Sequence, residues 1–149
     1  MTISDLRIIQ HLRRDARMNL TTISKHTGIP VSTIFDRVRS RESSAIRRFT
    51  ALMDFARLGF PIRAQLLLRV DPASRAALRS YLLEHEQVNC LLRVNNGFDF
   101  LADCIFRTIK DAEEFVETIE HQHHILDKQV LHVIDELAQE KALMTMNGE

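Results

Sequence analysis

The sequence contains few of the residues that interrupt or cross-link a chain. Its 149 residues include four glycines, three prolines and two cysteines, and no tryptophan. Together with 45% hydrophobic residues, this composition excludes a disordered chain and allows a buried core. Cys90 and Cys104 are too few for a disulfide framework and have no CxxC spacing, so we expect two reduced, buried thiols.

Long apolar runs and catalytic motifs are also missing. No stretch approaches the roughly 20 residues of a membrane-spanning helix, and no basic segment followed by an apolar one opens the chain. The sequence has no Gly-rich phosphate loop, nucleophile elbow, HExxH motif or metal-spaced Cys/His set. We therefore expect a cytoplasmic protein that is not an enzyme, has no catalytic residue, holds no cofactor and does not contact a membrane.

The two parts of the chain have opposite net charge, although the whole is neutral. Residues 1–60 contain eleven Arg and Lys against five Asp and Glu, whereas residues 61–149 contain nine against fifteen. A basic first part with an acidic remainder indicates a polyanion-binding module joined to a module of another kind. A chance fluctuation in composition is the alternative, but the net charge changes sign near residue 60, where the spacing of the apolar residues also changes.

Residues 21–41 have the pattern of two short helices about a tight turn. Gly28 stands where the first helix would end in a left-handed conformation, and Ile29 follows as a corner residue. Ser32 suits the N-cap of a second helix, 32–41. Three apolar residues of that helix recur at helical spacing and are expected to face the first: Ile34, Phe35 and Val38. This is the arrangement of a helix-turn-helix, although similar corners occur in domains that do not bind DNA.

The outward positions of the second helix have short polar and guanidinium side chains, which suit the major groove of DNA. An extended segment, 46–53, follows with two arginines placed to lie against phosphates as a wing does. Solvated surface arginines are the alternative interpretation for both elements. The predicted DNA-binding residues are Ser32, Thr33, Asp36, Arg37, Arg39, Ser40, Arg47 and Arg48.

From residue 61 the apolar residues alternate as they do in strands. One helix is opened by Asp71 and Pro72, and another by a capping box of Thr108 and Asp111. The predicted strands are 62–70, 88–95, 98–107 and 126–134. The order is therefore βαββαβ, a ferredoxin-like arrangement that makes the fold class α+β. We expect the charged tail, 135–143, to be helical.

Large apolar residues occur on both faces of the predicted sheet. The face away from the helices is expected to contain Leu67, Leu91, Leu101, Ile105, Leu131 and Val133. Such a patch is larger than monomers usually expose, so we expect the sheet of a second subunit to cover it in a homodimer. A two-fold dimer also places two copies of the 32–41 helix, the recognition helix, symmetrically, which suits a palindromic site in double-stranded DNA.

Three histidines, His121, His123 and His124, cluster near the end of the last predicted helix. His121 and His124 are expected on one helix face, where they could hold a metal. No cysteine or well-spaced carboxylate accompanies them, so a solvated helix C-terminus is favoured and no metal ligand is assigned.

In these segments the chain resembles the Lrp/AsnC family, the leucine-responsive or feast/famine transcription regulators of bacteria and archaea. The similarity runs from Leu6 to about Leu143. It rests on residues 20–29, 36–39 and 46–51 and on the sequence Asn96-Gly97-Phe98-Asp99-Phe100. The resemblance implies a winged helix-turn-helix DNA-binding domain, 1–54, a connector, 55–61, and a ferredoxin-like (ACT-like) effector and oligomerisation domain, 62–149.

The same resemblance implies assembly as homodimers and often octamers, with effectors that are commonly amino acids. The effector-binding residues that it implies are Asn95, Asn96, Gly97, Phe98 and Asp99. The chain departs from the family pattern at Arg41, usually apolar, in the shorter 42–46 junction, and at Val130 and Leu131, usually Thr or Ser. A small-molecule or metal sensor and a low-specificity architectural DNA-binding protein are the alternatives to a sequence-specific regulator.

Overall fold

The computed structural model describes residues 2–40 and 45–142 and divides into two compact units. One unit comprises the chain up to Leu52 together with the tail from Leu137, and the other comprises Met53–Glu136. The domain bounds predicted from the sequence place the tail with the second half instead. Within the described residues, no helix combines the length and apolar character needed to cross a membrane.

Three helices form the first unit: α1 (Ile3–Arg14), α2 (Leu20–Thr27) and α3 (Val31–Arg39). Thr2 begins α1 with a capping box, in which its hydroxyl accepts from the N–H of Asp5 and the Asp5 carboxylate accepts from the N–H of Thr2. The side chain of Asn19 caps α2. Pro30 precedes α3, so the predicted N-cap residue Ser32 lies inside the helix.

The helices of the first unit pack around four buried side chains. Ile23 of α2 and Ile34 of α3 are completely buried against Ile8 and Leu12 of α1. Burying each such side chain contributes about 1.5–3 kcal/mol, which fixes the corner between α2 and α3. The prediction that Phe35 faces α2 was wrong, because Phe35 lies about 100° around the helix from Ile34 and is 48% exposed.

The second unit has the predicted βαββαβ order. Its elements are β1 (Ile62–Val70), α4 (Arg75–Glu84), β2 (Val88–Arg93), β3 (Phe100–Phe106), α5 (Ile109–Gln122) and β4 (Ile125–His132). The strands form one antiparallel sheet in the order β2-β3-β1-β4. Both helices cover one face, where Leu66, Leu78 and Phe106 are buried in a common core. The predicted capping box of Thr108 and Asp111 begins α5.

Strand β2 differs from the prediction in the direction of its side chains. An irregularity between Val88 and Cys90 sets Leu91 opposite the buried Ala102, so Leu91 packs against the helix-side core. Leu92 and Cys90 take the other face instead. The expectation of two buried thiols is therefore correct for Cys104 and wrong for Cys90, which is exposed.

The segments outside these elements also depart from expectation. Residues 135–142 contain no helix, and Glu140 has a φ of +50°, outside the helical region. Residues 45–61 contain neither a helix nor a strand, so the segment expected to form a wing strand has no paired partner strand within the described residues. Helix α5 ends at Gln122, so His124 lies beyond it and does not share a helix face with His121.

Candidate DNA-binding and effector sites

The exposed side of α3 is a stripe of five residues with helical spacing: Val31, Ser32, Phe35, Asp36 and Arg39. The predicted DNA-binding residues Thr33, Arg37 and Ser40 are half-buried along its flank. Helix α3 therefore presents a surface that mixes polar, cationic and apolar groups, while Ile34 anchors its opposite side in the core.

Arg37 contacts the beginning of α1 instead of pointing freely outward. Its Nη1 donates to Oδ1 of Asp5 at 2.5 Å and to Oγ1 of Thr2 at 3.1 Å. Hydrogen bonds from the backbone and hydroxyl of Thr2 lower the pKa of Asp5, and the nearby Arg37 guanidinium lowers it further. Arg37 thus links the half-buried side of α3 to the N-terminal capping box of α1.

Phe35 is a surface residue of α3 that the sequence pattern placed in the core. The Arg39 guanidinium lies 5.7 Å from the centre of its ring, a cation–π arrangement. The spacing of Val31, Phe35 and Arg39 at four-residue intervals was the available signal, because it puts all three on one helix face. An exposed phenyl ring beside a guanidinium can contact the methyl group of thymine.

Arg47 and Arg48 are exposed in the segment after α3, and Ile46 beside them packs against the helical core. The segment and α1 enclose a groove of about 610 Å³ that Arg13 and Arg14 of α1 also line. Glu140 of the tail lies in the same groove, where its carboxylate and its backbone carbonyl accept from Arg13 Nη2 at 2.9 and 2.8 Å. Arg41 and residues 42–44 of the unusual junction lie outside the described residues.

A histidine pair lies between α1 and α2. The rings of His11 and His26 stack with their centroids 5.3 Å apart. Burial lowers the pKa of His11, and the positive charges of His26 and Arg14 lower it further. The packing of α1 on α2 is therefore favoured when His11 is neutral.

The predicted effector turn is a tight reversal between β2 and β3. Asn96 and Gly97 have φ values of +61° and +86°, a combination that Asn-Gly adopts readily. Asn95, Asn96 and Gly97 are exposed and Phe98 is half-buried. The Asp99 carboxylate already has partners in the protein, because it accepts from the N–H of Val70 at 2.9 Å and lies 2.8 Å from Nε of Arg75.

The open face of the sheet combines leucines with a polar network. Leu67 pairs across the ladder with Leu101, and Leu92 follows on the next strand. Further along this face, Asp103 accepts from Arg63 at 2.7 and 3.0 Å and from Asn89 at 3.1 Å. The side chain of Asp103 is only 9% exposed, and its partners account for its burial.

The histidine cluster does not come together as a metal site. His121 and His124 are exposed, while the ring of His123 lies 5.3 Å from that of Tyr81. Among residues 2–40 and 45–142, no three His, Cys, Asp or Glu side chains are grouped so that they could hold a metal ion.

Residues 1–40 match a family described as winged helix-turn-helix DNA-binding. The HTH-type transcriptional regulator FL11 of Pyrococcus abyssi is 31% identical over 116 residues, which cover 77% of each chain. This chain belongs to the Lrp/AsnC family of transcription regulators. It is a DNA-binding regulator with an N-terminal winged helix-turn-helix and a ferredoxin-like C-terminal domain, as the sequence predicted.

Solved structures support the fold of this regulator. LrpC of B. subtilis superposes with a TM-score of 0.82 at 19% identity, covering 93% of this chain and 97% of that one. NMB0573 of Neisseria meningitidis, solved as an L-Met complex, gives a TM-score of 0.84 at 17% identity and covers 93% of both chains. At these identities the similarity establishes the architecture alone.

Proposed function

We propose that this Lrp/AsnC regulator recognises specific sites on double-stranded DNA through the exposed stripe of α3. The observation that supports this most directly is the stripe itself, in which Ser32, Phe35, Asp36 and Arg39 share one solvent-facing side of the helix. Short polar, apolar and guanidinium groups are the side chains that distinguish bases in the major groove. Such a protein would act in the cytoplasm of a bacterium or archaeon.

The remaining predicted residues contribute phosphate contacts in this proposal. Arg47 and Arg48 are exposed and would neutralise the DNA backbone, while Thr33 and Ser40 flank the stripe. Arg37 contacts Asp5 through Nη1, and in this proposal its guanidinium exchanges that carboxylate for a phosphate or a guanine edge.

A homodimer through the open sheet face would deliver two α3 helices to one palindromic site. The half-buried Leu67, Leu101 and Ile105, with the exposed Leu92 and Leu131, supply an apolar surface that a second sheet would cover. Octamers built from such dimers, as in many family members, belong to the same proposal.

We propose further that a small effector, such as an amino acid, adjusts DNA affinity through the second unit. The complex of NMB0573 with L-Met gives a precedent in a protein of the same fold. The exposed turn Asn95–Asp99 is the proposed contact region, where backbone groups rather than the engaged Asp99 carboxylate would meet the ligand. A ligand that prefers one assembly state would shift the spacing of the recognition helices.

Selection of bound sequences from a random DNA pool tests the first proposal. The selected site should bind at least about 10³-fold more tightly than random DNA at physiological salt. Replacing Arg39 by Ala should weaken specific binding by about 1–3 kcal/mol, whereas Arg57→Ala, in the exposed connector, should not. A steep salt dependence without a preferred sequence would favour an architectural protein instead.

A further inference from the structure

A groove between α4 and β2 gathers three arginines over an apolar floor. Its volume is about 460 Å³, which is the size of small-molecule sites. Arg75 and Arg79 of α4 and Arg93 of β2 line it together with Leu83, Leu91 and Phe100. None of the described residues that line the groove is acidic.

The arrangement of these cations costs stability in the free protein. Arg75 and Arg79 are four residues apart, so they repel each other on one helix face. Arg75 also lies in the first turn of α4, where the positive end of the helix dipole disfavours a cation. A cluster that fold stability alone would not favour is explained if an anion binds there.

The three arginines differ in whether they already have an acidic partner in the protein. Arg75 lies 2.8 Å from the Asp99 carboxylate, although its Nε–H is not aligned with that oxygen as in a hydrogen bond. Arg79 and Arg93 have no ion-pair partner in the part of the chain that the structure describes. Two guanidinium groups therefore remain available for one carboxylate.

We propose that this groove binds a small apolar carboxylate without an ammonium group, such as the 2-oxo acid of a branched-chain amino acid. Arg79 and Arg93 receive the carboxylate, and the chain of the ligand covers Leu83, Leu91 and Phe100. A zwitterionic amino acid fits less well, because its ammonium group needs an acidic partner and the nearby Asp99 carboxylate is already engaged by Arg75 and by the N–H of Val70.

This ligand is a carboxylate in place of the amino acid of the proposed function, and its groove lies beside the proposed effector turn; any influence of the ligand on DNA binding rests on that proposed function. Arg75 connects the groove to the effector turn through Asp99. A carboxylate that attracts Arg75 would weaken this connection and so change the turn.

Isothermal titration of the full chain, without DNA, tests the site with 4-methyl-2-oxopentanoate, L-leucine and inorganic phosphate. We expect saturable binding of the oxo acid. L-leucine and phosphate should bind at least about tenfold more weakly, because L-leucine has no net charge and phosphate has no apolar chain. The double variant Arg79→Gln, Arg93→Gln should weaken oxo-acid binding at least about tenfold, because it removes both charge-assisted contacts. The control Arg57→Gln should bind as the wild type does.

Three results would overturn the assignment: no binding of the oxo acid at millimolar concentration, equal or tighter binding of L-leucine or phosphate, or unchanged binding by the double variant. Circular dichroism establishes that the double variant is folded, and removing the repulsion between the arginines should not lower its unfolding temperature. A gel shift with the selected DNA, with and without the oxo acid, measures DNA binding independently of the titration. Failure to bind any DNA would count against the proposed function and leave the titration result standing.

Discussion

At the scale of single residues, Arg37 illustrates how one guanidinium can serve two purposes. In the structure it joins the flank of α3 to Asp5 and Thr2 at the start of α1. In the proposed complex the same group contacts DNA. A half-exposed ion pair of this kind is weak in water, so exchanging its carboxylate for a phosphate or a base is energetically accessible.

Two substitutions separate these purposes. Replacing Arg37 by Ala should weaken specific DNA binding by about 1–3 kcal/mol, because it removes the contacting group. Replacing Asp5 by Asn removes the internal competitor but keeps the guanidinium, so DNA affinity should stay the same or rise. Gel-shift titration of both variants on the selected site makes the comparison. Equal losses in the two variants would mean that Arg37 acts only by positioning α3.

His11 should make stability depend on pH. Its pKa in the folded protein is below the ordinary value of 6.5, so the unfolded chain takes up a proton first as the pH falls. The unfolded state then binds more protons, and the free energy of unfolding decreases as the pH drops through 6.5 toward the folded pKa. His11→Gln should flatten this dependence in thermal unfolding at pH 5.5 and 7.5. His121→Gln, at an exposed position, should behave as the wild type, and identical slopes for all three proteins would contradict the assignment.

At the scale of secondary-structure elements, the turn between α2 and α3 depends on Gly28. Its φ of +72° is unfavourable for residues with a Cβ, although a Cβ there would meet no atom within 4 Å. Gly28→Ala should therefore destabilise the protein by about 1 kcal/mol through backbone strain alone. Gly28→Asn should cost less, because asparagine tolerates this conformation better. Chemical denaturation measures both, and equal costs would indicate that the strain is not the cause.

Elements set by local sequence were predicted well. Gly28 ends α2, the Thr108–Asp111 box begins α5, and alternation from residue 62 specifies β1, because each signal acts within a few residues. The contact of Arg37 with Asp5 could not be predicted, since it joins residues 32 positions apart. The face of the sheet on which the Leu91 side chain lies depends on an irregularity in β2, and no residue type in that strand predicts such an irregularity. The groove arginines were also missed, because they come from two elements that only the fold brings together.

At the scale of the whole molecule, the open sheet face should decide the assembly state. Leu101→Glu would bury an unpaired charge in the proposed dimer contact and should raise the dimer dissociation constant at least about 100-fold. Ile109→Glu, at an exposed isoleucine of α5 on the helix side, is the matched control and should remain dimeric. Analytical ultracentrifugation at micromolar concentration measures the three proteins. A monomeric wild type, or a dimer that survives Leu101→Glu, would remove this face from the assembly.

The unequal environments of the two cysteines give this protein a reporter that needs no engineering. Cys104 is fully buried and its pKa is raised to about 12, so a maleimide dye should not react with it in the folded protein. Cys90 is exposed on β2, opposite Asp103. A dye would therefore attach at a single position on the leucine-bearing side of the sheet, and the rate of labelling at increasing protein concentration would follow the closing of that surface in solution.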